Sequence, residues 1–356
     1  MIKSKVLIVD DSAIVRKKFS DGLKQFSDIE IVGTAVDAYD ARDKIINLKP
    51  DVVTLDIMMP RMDGLTFLGK LMKHFPLPVI MVSGATMEGG DITLKCLEEG
   101  AFDFVAKPSA LSGSDVDSLF KELHEKILCA KSSWKKKKNL ITHKTTSKTP
   151  EGGVKSILSN DVELNKVLIA IASSTGGTDA LTKIFTRLPD KMPPIIVTQH
   201  MPPNFTALFA KRLNGCSSLT IKEAEEGEIL KNSHVYIAPG GSHLKIKESG
   251  SSLRVVLGDE EKVHHQRPAA DVMFNSILSS SKKILGVVLT GMGADGARGL
   301  LELKEKGSYN ISQDENSCVV YGMPKEAVKL NAIDEVLPLS SIPEKLVSLS
   351  AKLAKR

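Results

Sequence analysis

A serine followed by two glycines, Ser174-Thr175-Gly176-Gly177, stands directly after the apolar run at 167–172 and before a helical pattern that starts at Thr178. A strand-to-helix turn of this kind aims the serine oxygen out of a sheet, and its glycines leave N–H groups at a helix N-terminus facing an anion. Two chemistries fit: acyl transfer with Ser174 as nucleophile, or phosphate binding. A neutral hydroxyl attacks poorly, so the first needs a base at a neighbouring strand end. His200 closes the apolar run at 195–199, and Pro202-Pro203 then force the chain out of the strand. His234 begins a strand instead, His243 is a further competitor, and His264-His265 lie in an irregular polar stretch that could line a cleft. The base in turn needs a buried acid to accept its other N–H. Asp295, in the glycine-rich segment that follows the apolar run at 284–289, has the best position; Asp314 follows another strand end, and Asp271 reads as a first-turn helix acid.

A second set of reactive groups lies in the first third of the chain. Asp10 and Asp11, Asp56, Ser83 and Lys107 each close a successive apolar run. Three carboxylates at one sheet edge make an oxygen-rich site for Mg²⁺. Asp56 could then act as a carboxylate nucleophile towards a phosphoryl group, with Lys107 and Ser83 binding its oxygens.

The elements that must position these groups follow from hydrophobic periodicity. Strands are predicted at 5–10, 31–36, 52–56, 78–83 and 102–107, and helices near Ser12, Ala38, Gly64, Asp91 and Asp117. Strand–helix alternation implies a doubly wound parallel α/β sheet, whose functional groups collect at the carboxyl ends of the strands. A second such run starts near Lys166, with strands at 167–173, 195–199, 235–238, 253–257, 284–289 and 318–321, and helices from Thr178, Asn204, Ala270, Gly296 and Lys325. Residues 245–247 and 254–257 flank Ser249-Gly250-Ser251 as an inserted hairpin. No internal repeat is visible.

The 356 residues therefore divide into a domain at 1–130, a lysine-rich linker at 131–160 and a domain at 161–356. Trp134, the single tryptophan, reads as the tail of the preceding helix or a docking point. Eight lysines against Glu151 give residues 131–155 a balance of +7; the whole chain carries +5, so the rest is near −2. Basicity thus belongs to the linker and gives the folded parts no excess for nucleic acid. The four scattered cysteines suit reduced thiols of a cytoplasmic protein, and no apolar run is long enough to enter a membrane.

Val9-Asp10-Asp11-Ser12, the segment Leu55-Asp56-Ile57-Met58-Met59-Pro60-Arg61-Met62-Asp63-Gly64, Met81-Val82-Ser83 and the stretch ending in Ala106-Lys107-Pro108 resemble the flavodoxin-like (βα)5 receiver domain of two-component response regulators. The resemblance implies phosphotransfer from a histidine kinase to Asp56, with Mg²⁺ held by Asp10 or Asp11, Asp56 and the carbonyl of Met58. Gly84 departs from the second small hydroxyl residue common there, which leaves Ser83 as the switch hydroxyl.

Ala172-Ser173-Ser174-Thr175-Gly176-Gly177, Gln199-His200-Met201-Pro202, Tyr236-Ile237-Ala238-Pro239-Gly240, Thr290-Gly291-Met292-Gly293-Ala294-Asp295-Gly296 and Gln313-Asp314-Glu315-Asn316 resemble the catalytic domain of chemotaxis protein-glutamate methylesterases. That resemblance implies hydrolysis of glutamate γ-methyl esters on chemoreceptors, with no cofactor for the ester hydrolysis, and often deamidation of selected glutamines. Ser173 stands where the family commonly has a small apolar residue, which makes the register ambiguous; Thr-Gly-Gly after Ser174 favours Ser174. Backbone donors near Thr175 and Met292 would stabilise the oxyanion. The domain order predicts an esterase restrained until Asp56 is phosphorylated. A DNA-binding output predicts a short basic helical module, and a nucleotide cradle predicts Gly-x-Gly-x-x-Gly or Gly-Lys-Ser/Thr after a strand; the second half has neither. A serine hydrolase acting on another acyl group remains compatible with the triad.

Overall fold

The computed structural model describes residues 3–84, 87–107, 114–141, 163–250 and 252–355. Two compact units divide between residues 146 and 147. In the first, β1 (Ser4–Val9), α1 (Ala13–Lys24), β2 (Ile29–Ala35), α2 (Ala38–Leu48), β3 (Val52–Asp56), α3 (Gly64–His74), β4 (Val79–Gly84), α4 (Met87–Glu98), β5 (Asp103–Lys107) and α5 (Ser114–Ile141) alternate. The strands pair in parallel in the order β2-β1-β3-β4-β5. Strand order reverses between β1 and β3, which opens a crevice at their carboxyl ends.

Side chains placed just beyond the strands start the helices. Ser12 accepts from Val15 N–H at 3.4 Å, Asp37 from Tyr39 and Asp40 N–H at 2.8 and 2.9 Å, and Asp63 from Thr66 N–H at 2.7 Å. Each satisfies a donor that the first helical turn leaves unpaired. Val6, Ile8, Val52, Ile80 and Val105 from the sheet pack with Phe19 and Leu23 of α1 and Phe120, Leu123 and Ile127 of α5. Phe19 meets Phe120 edge to face at 5.4 Å.

The expected linker differs at its start: α5 continues to Ile141, through Trp134 and the lysine run. Lysine is a good helix former, and no glycine or proline interrupts residues 131–141. Lys131 also ties this part of the helix down, donating to the carbonyl of Lys3 at 2.7 Å and pairing with Asp51 at 2.9 Å. Residues 142–160 of the expected linker lie outside the described residues.

The second unit contains β6 (Val167–Ser173), α6 (Gly177–Phe185), β7 (Ile195–Gln199), α7 (Phe205–Asn214), β8 (Thr220–Glu223), β9 (His234–Ile237), β10 (His243–Ser249), β11 (Ser252–Gly258), α8 (Ala270–Ser276), β12 (Lys283–Val288), α9 (Ala297–Glu305), β13 (Tyr309–Gln313), α10 (Met323–Lys329), β14 (Glu335–Leu337) and α11 (Ile342–Ala354). Seven strands form a parallel sheet in the order β14-β13-β12-β6-β7-β9-β8. The inserted hairpin is β10–β11, an antiparallel pair whose Leu244, Ile246, Leu253 and Val255 join a core with Met273 and Phe274 of α8.

The strand expected at 318–321 is instead a loop, linked to the sheet side by one bridge between Gly291 and Tyr321. The true strand is β13, whose Asn310, Ser312 and Gln313 look unsuited to a buried position. Tertiary hydrogen bonds satisfy Asn310 and Gln313: Asn310 Nδ2 donates to the carbonyls of Leu300 and Ala332 at 2.7 and 2.8 Å, and Gln313 Oε1 accepts from Thr290 N–H at 2.8 Å; Ser312 Oγ donates locally to the Gln313 carbonyl at 3.2 Å. β8 and β14, short strands at the two sheet edges, likewise carry too little apolar pattern to be predicted. Among the described residues no helix is long and apolar enough to cross a membrane.

Gly64 shows how closely the β3–α3 loop is packed. A Cβ there would lie 2.2 Å from the Asp56 carbonyl oxygen and 2.9 Å from Ile57 Cα, both unyielding backbone atoms. Gly64→Ala should destabilise the first unit by about 3 kcal/mol. Urea unfolding checks this, and an unchanged midpoint would show that the β3–α3 loop yields at little cost.

Candidate active site and acidic pocket

In the second sheet β6 lies between β12 and β7, and the strand order reverses between β6 and β12. Ser174, His200 and the segment starting at Thr290 therefore leave the sheet side by side at its carboxyl edge. Main-chain bonds hold these exits together: Ser174 N–H donates to Thr290 O and His200 N–H to Ser173 O, both at 3.1 Å. Thr290 Oγ1 donates to the Thr175 carbonyl at 2.9 Å and accepts from Val320 N–H at 2.9 Å, which stitches in the 318–322 loop.

His200 Nε2 lies 2.7 Å from Asp295 Oδ2. Asp295 is almost wholly buried and accepts two further bonds, from Ala270 N–H at 2.6 Å and Asp271 N–H at 2.9 Å. Burial pushes its carboxyl pKa up, but the hydrogen bond and charge of His200, with the Asp271 and Ala270 N–H groups, more than offset this and hold it below its ordinary value. The ionised carboxylate takes the Nε2 proton as its hydrogen bond, which leaves Nδ1 as the basic nitrogen. The two serines differ. Ser173 is fully buried, with Oγ donating to Gln199 Oε1 at 2.7 Å. Ser174 is partly exposed, and its Oγ makes no hydrogen bond among the described residues. Met292 N–H likewise has no acceptor among them, and Thr175, whose carbonyl receives Thr290 Oγ1, is buried in the stitched turn.

The competing groups have other attachments. Asp314 accepts from Ser317 N–H at 3.0 Å and from Ser317 Oγ. Asp271 accepts from Gly299 N–H at 2.8 Å and faces His264 Nε2 at 2.9 Å, linking α8 to α9. His243 is buried between Glu261 O and Ala269 N–H, and His234 bonds the nearby Asn232 carbonyl. All four cysteines are free, and burial pushes the thiols of Cys96 and Cys318 up to about 12, so neither is a nucleophile at neutral pH. Sequence reasoning missed Thr290, Gln313 and Gln199, whose work is done through side-chain bonds to distant backbone and leaves no periodic signal.

At the carboxyl edge of the first sheet, carboxylate oxygens of Asp10, Asp11 and Asp56 lie within 4.8 Å of one another. Ser12 N–H donates to Asp10 Oδ1 at 2.9 Å, and Arg16 holds the carbonyls of Asp10 and Asp11 at 2.8 and 2.9 Å, so α1 sets the acidic turn. Lys107 Nζ bridges Asp10 Oδ2 at 2.7 Å and Asp56 Oδ1 at 2.8 Å. Burial raises the Asp56 pKa despite the opposing charge and hydrogen bond of Lys107; the nearby Asp10 charge adds to the rise. Burial pulls Lys107 down, but Asp56 and Asp10 outweigh it and leave the ammonium above its usual value. An all-oxygen donor set with one exposed acid fits a hard divalent cation. The Met58 carbonyl, on the β3–α3 loop, accepts no hydrogen bond among the described residues. Ser83 is turned away towards α4, where Thr93 Oγ1 donates to its Oγ at 2.8 Å.

Comparison with known proteins matches both halves. The model of the response regulator receiver domain matches residues 6–113, and that of the CheB methylesterase matches residues 169–346. The chain is 47% identical over 350 residues to a protein-glutamate methylesterase/protein-glutamine glutaminase 2 of Syntrophus aciditrophicus, covering 98% of this chain and 100% of that one. A protein-glutamate methylesterase/protein-glutamine glutaminase of Sulfurimonas denitrificans is 46% identical, covering 97% and 98%. The crystal structure of the CheB methylesterase catalytic domain of Thermotoga maritima superposes with a TM-score of 0.50 at 43% identity, covering 51% of this chain and 97% of that one. With strand-end chemistry in both units and relatives aligned from end to end, the chain belongs to the CheB family of receiver-linked methylesterases.

Proposed function

We propose that this chain removes methyl groups from glutamate γ-methyl esters on chemoreceptors, and deamidates receptor glutamines, under control of phosphorylation at Asp56. The receiver spans 1–130 and the esterase 161–356. The observation that carries the reading is the His200–Asp295 contact at 2.7 Å beside an accessible Ser174. Ser174 Oγ attacks the ester carbonyl while its proton passes to His200 Nδ1, and the imidazolium is stabilised by Asp295. Thr175 and Met292 N–H groups receive the oxyanion. The bond from the former carbonyl carbon to the leaving group, carbon–oxygen in the ester and carbon–nitrogen in the amide, breaks as His200 returns the proton, releasing methanol from the ester or ammonia from a glutamine. Water then attacks the acyl-enzyme with His200 again as base, which frees the carboxylate and Ser174.

In the receiver, Asp56 accepts a phosphoryl group from a histidine kinase. Asp10, Asp11, Asp56 and the Met58 carbonyl would hold Mg²⁺, which supplies positive charge against the incoming phosphoryl oxygens. Lys107 already lies against Asp56 and supplies a further cation. Ser83 would turn from Thr93 to the phosphoryl group, and that rotation supports a signal through α4. A kinase and the cytoplasmic domains of receptors as partners support a cytoplasmic location.

Methanol release from methylated receptor membranes tests the esterase. Ser174→Ala should reduce it to background, while Ser173→Ala should lose less than about tenfold; equal loss in both would sink the register. Asp295→Asn should cost about 10⁴-fold in kcat through loss of the correct tautomer, and a loss below about tenfold would remove Asp295 from the triad. A small acyl-phosphate donor with Mg²⁺ should raise methanol release by the whole protein. Asp56→Asn should abolish that rise and leave unstimulated activity in place; a variant still stimulated would exclude Asp56 as the acceptor.

A further inference from the structure

Gln199, the last residue of β7, is 3% exposed, and its amide makes three hydrogen bonds. Oε1 accepts from Ser173 Oγ at 2.7 Å, while Nε2 donates to the main-chain carbonyls of Ser174 at 3.0 Å and His200 at 3.2 Å. The amide can sit only this way round, because the two carbonyls cannot donate and the hydroxyl can. Gly177 leaves it the room: a Cβ there would lie 2.1 Å from Gln199 Oε1 and 2.8 Å from Ser173 Cβ.

We propose that Gln199 is a positioning residue for the esterase reaction, its amide clamping the nucleophile's turn to the backbone of the general base. The proposal rests on the reading of Ser174 and His200 above. On the strand side of the site, His200 N–H to Ser173 O already ties β6 to β7. That bond ends where the ladder ends. Beyond it both chains leave the sheet, one through Thr175-Gly176 and the other through Met201-Pro202-Pro203. Gln199 Nε2 is the donor that reaches both carbonyls past this point, so it governs how far Ser174 and His200 can separate. A displacement of about 1 Å between reacting groups costs on the order of 10²-fold in rate.

Gln199→Glu tests this, because it keeps the size and the acceptor for Ser173 Oγ but sets an oxygen against two carbonyls. With methylated receptor membranes, kcat should fall about 10²-fold with KM within about twofold, and phosphonylation of Ser174 by a fluorophosphonate should slow in parallel. A protonated glutamate regains one O–H donor, and burial beside carbonyls raises its pKa. The activity of the variant relative to the unsubstituted protein should therefore rise as the pH falls from about 8 to about 6, a signature that loss of packing does not produce. A folded Gln199→Glu with kcat within about twofold of normal, or with a ratio independent of pH, overturns the proposal. If circular dichroism shows that variant unfolded, Ser173→Ala carries the test. It removes the hydroxyl that orients Oε1 and should slow both turnover and phosphonylation about threefold or more; undiminished rates overturn the proposal. Ser174→Ala in the same assays separates the two levels. Activity surviving there refutes the active-site reading, whereas an inactive Ser174→Ala beside an unimpaired Gln199→Glu refutes only the clamp.

Discussion

The esterase unit is organised around one buried anion. An isolated carboxylate in the protein interior is costly, and Asp295 is tolerable there because three donors converge on it: His200 Nε2 and the N–H groups of Ala270 and Asp271. These donors come from the exit of β7 and the first turn of α8, while Asp295 itself lies between β12 and α9. Satisfying the charge therefore docks three separate connections and fixes the ring of His200 in one orientation. Asp271 extends the arrangement, since its carboxylate receives Gly299 N–H from α9 and faces His264. The same contacts that make the charge bearable set the geometry a general base needs.

The first unit places carboxylates at the same location in a similar sheet but balances them differently. Asp10 and Asp56 share the single ammonium of Lys107, and burial still raises the pKa of Asp56. Negative charge is thus left in excess, at a crevice open on the side of Asp11. Such a pocket favours the arrival of a cation and of a group that brings one, which suits reversible phosphoryl chemistry.

Around the active site, polar side chains replace the apolar contacts that build the rest of the core. Gln313 of β13 receives Thr290 N–H, Thr290 Oγ1 reaches the carbonyl of Thr175, and Val320 N–H returns to Thr290. This network passes from β13 through the β12 exit to the Ser174 turn and the 318–322 loop. Hydrogen bonds are directional where dispersion contacts are not, so a buried and satisfied network holds loops in one arrangement that packing alone would leave loose.

Much of this was legible in the sequence, for a local reason. Apolar periodicity marks where strands end, and a reactive side chain just past an end, such as Asp56, Ser174 or His200, inherits its place at the carboxyl edge of a parallel sheet. The α/β class, the hairpin and the two clusters of chemistry follow from that alone. Elements whose stability comes from distant partners were not legible: the polar strand β13 and the short edges β8 and β14. Nor were the contacts that complete the site. That His200 meets Asp295 through Nε2, that Asp314 turns instead to Ser317, and that Ser173 is enclosed by Gln199 while Ser174 stays accessible all depend on the placement of β6 between β12 and β7. Strand order and hydrogen bonds between residues tens of positions apart decide those contacts, and neither leaves a trace in local pattern.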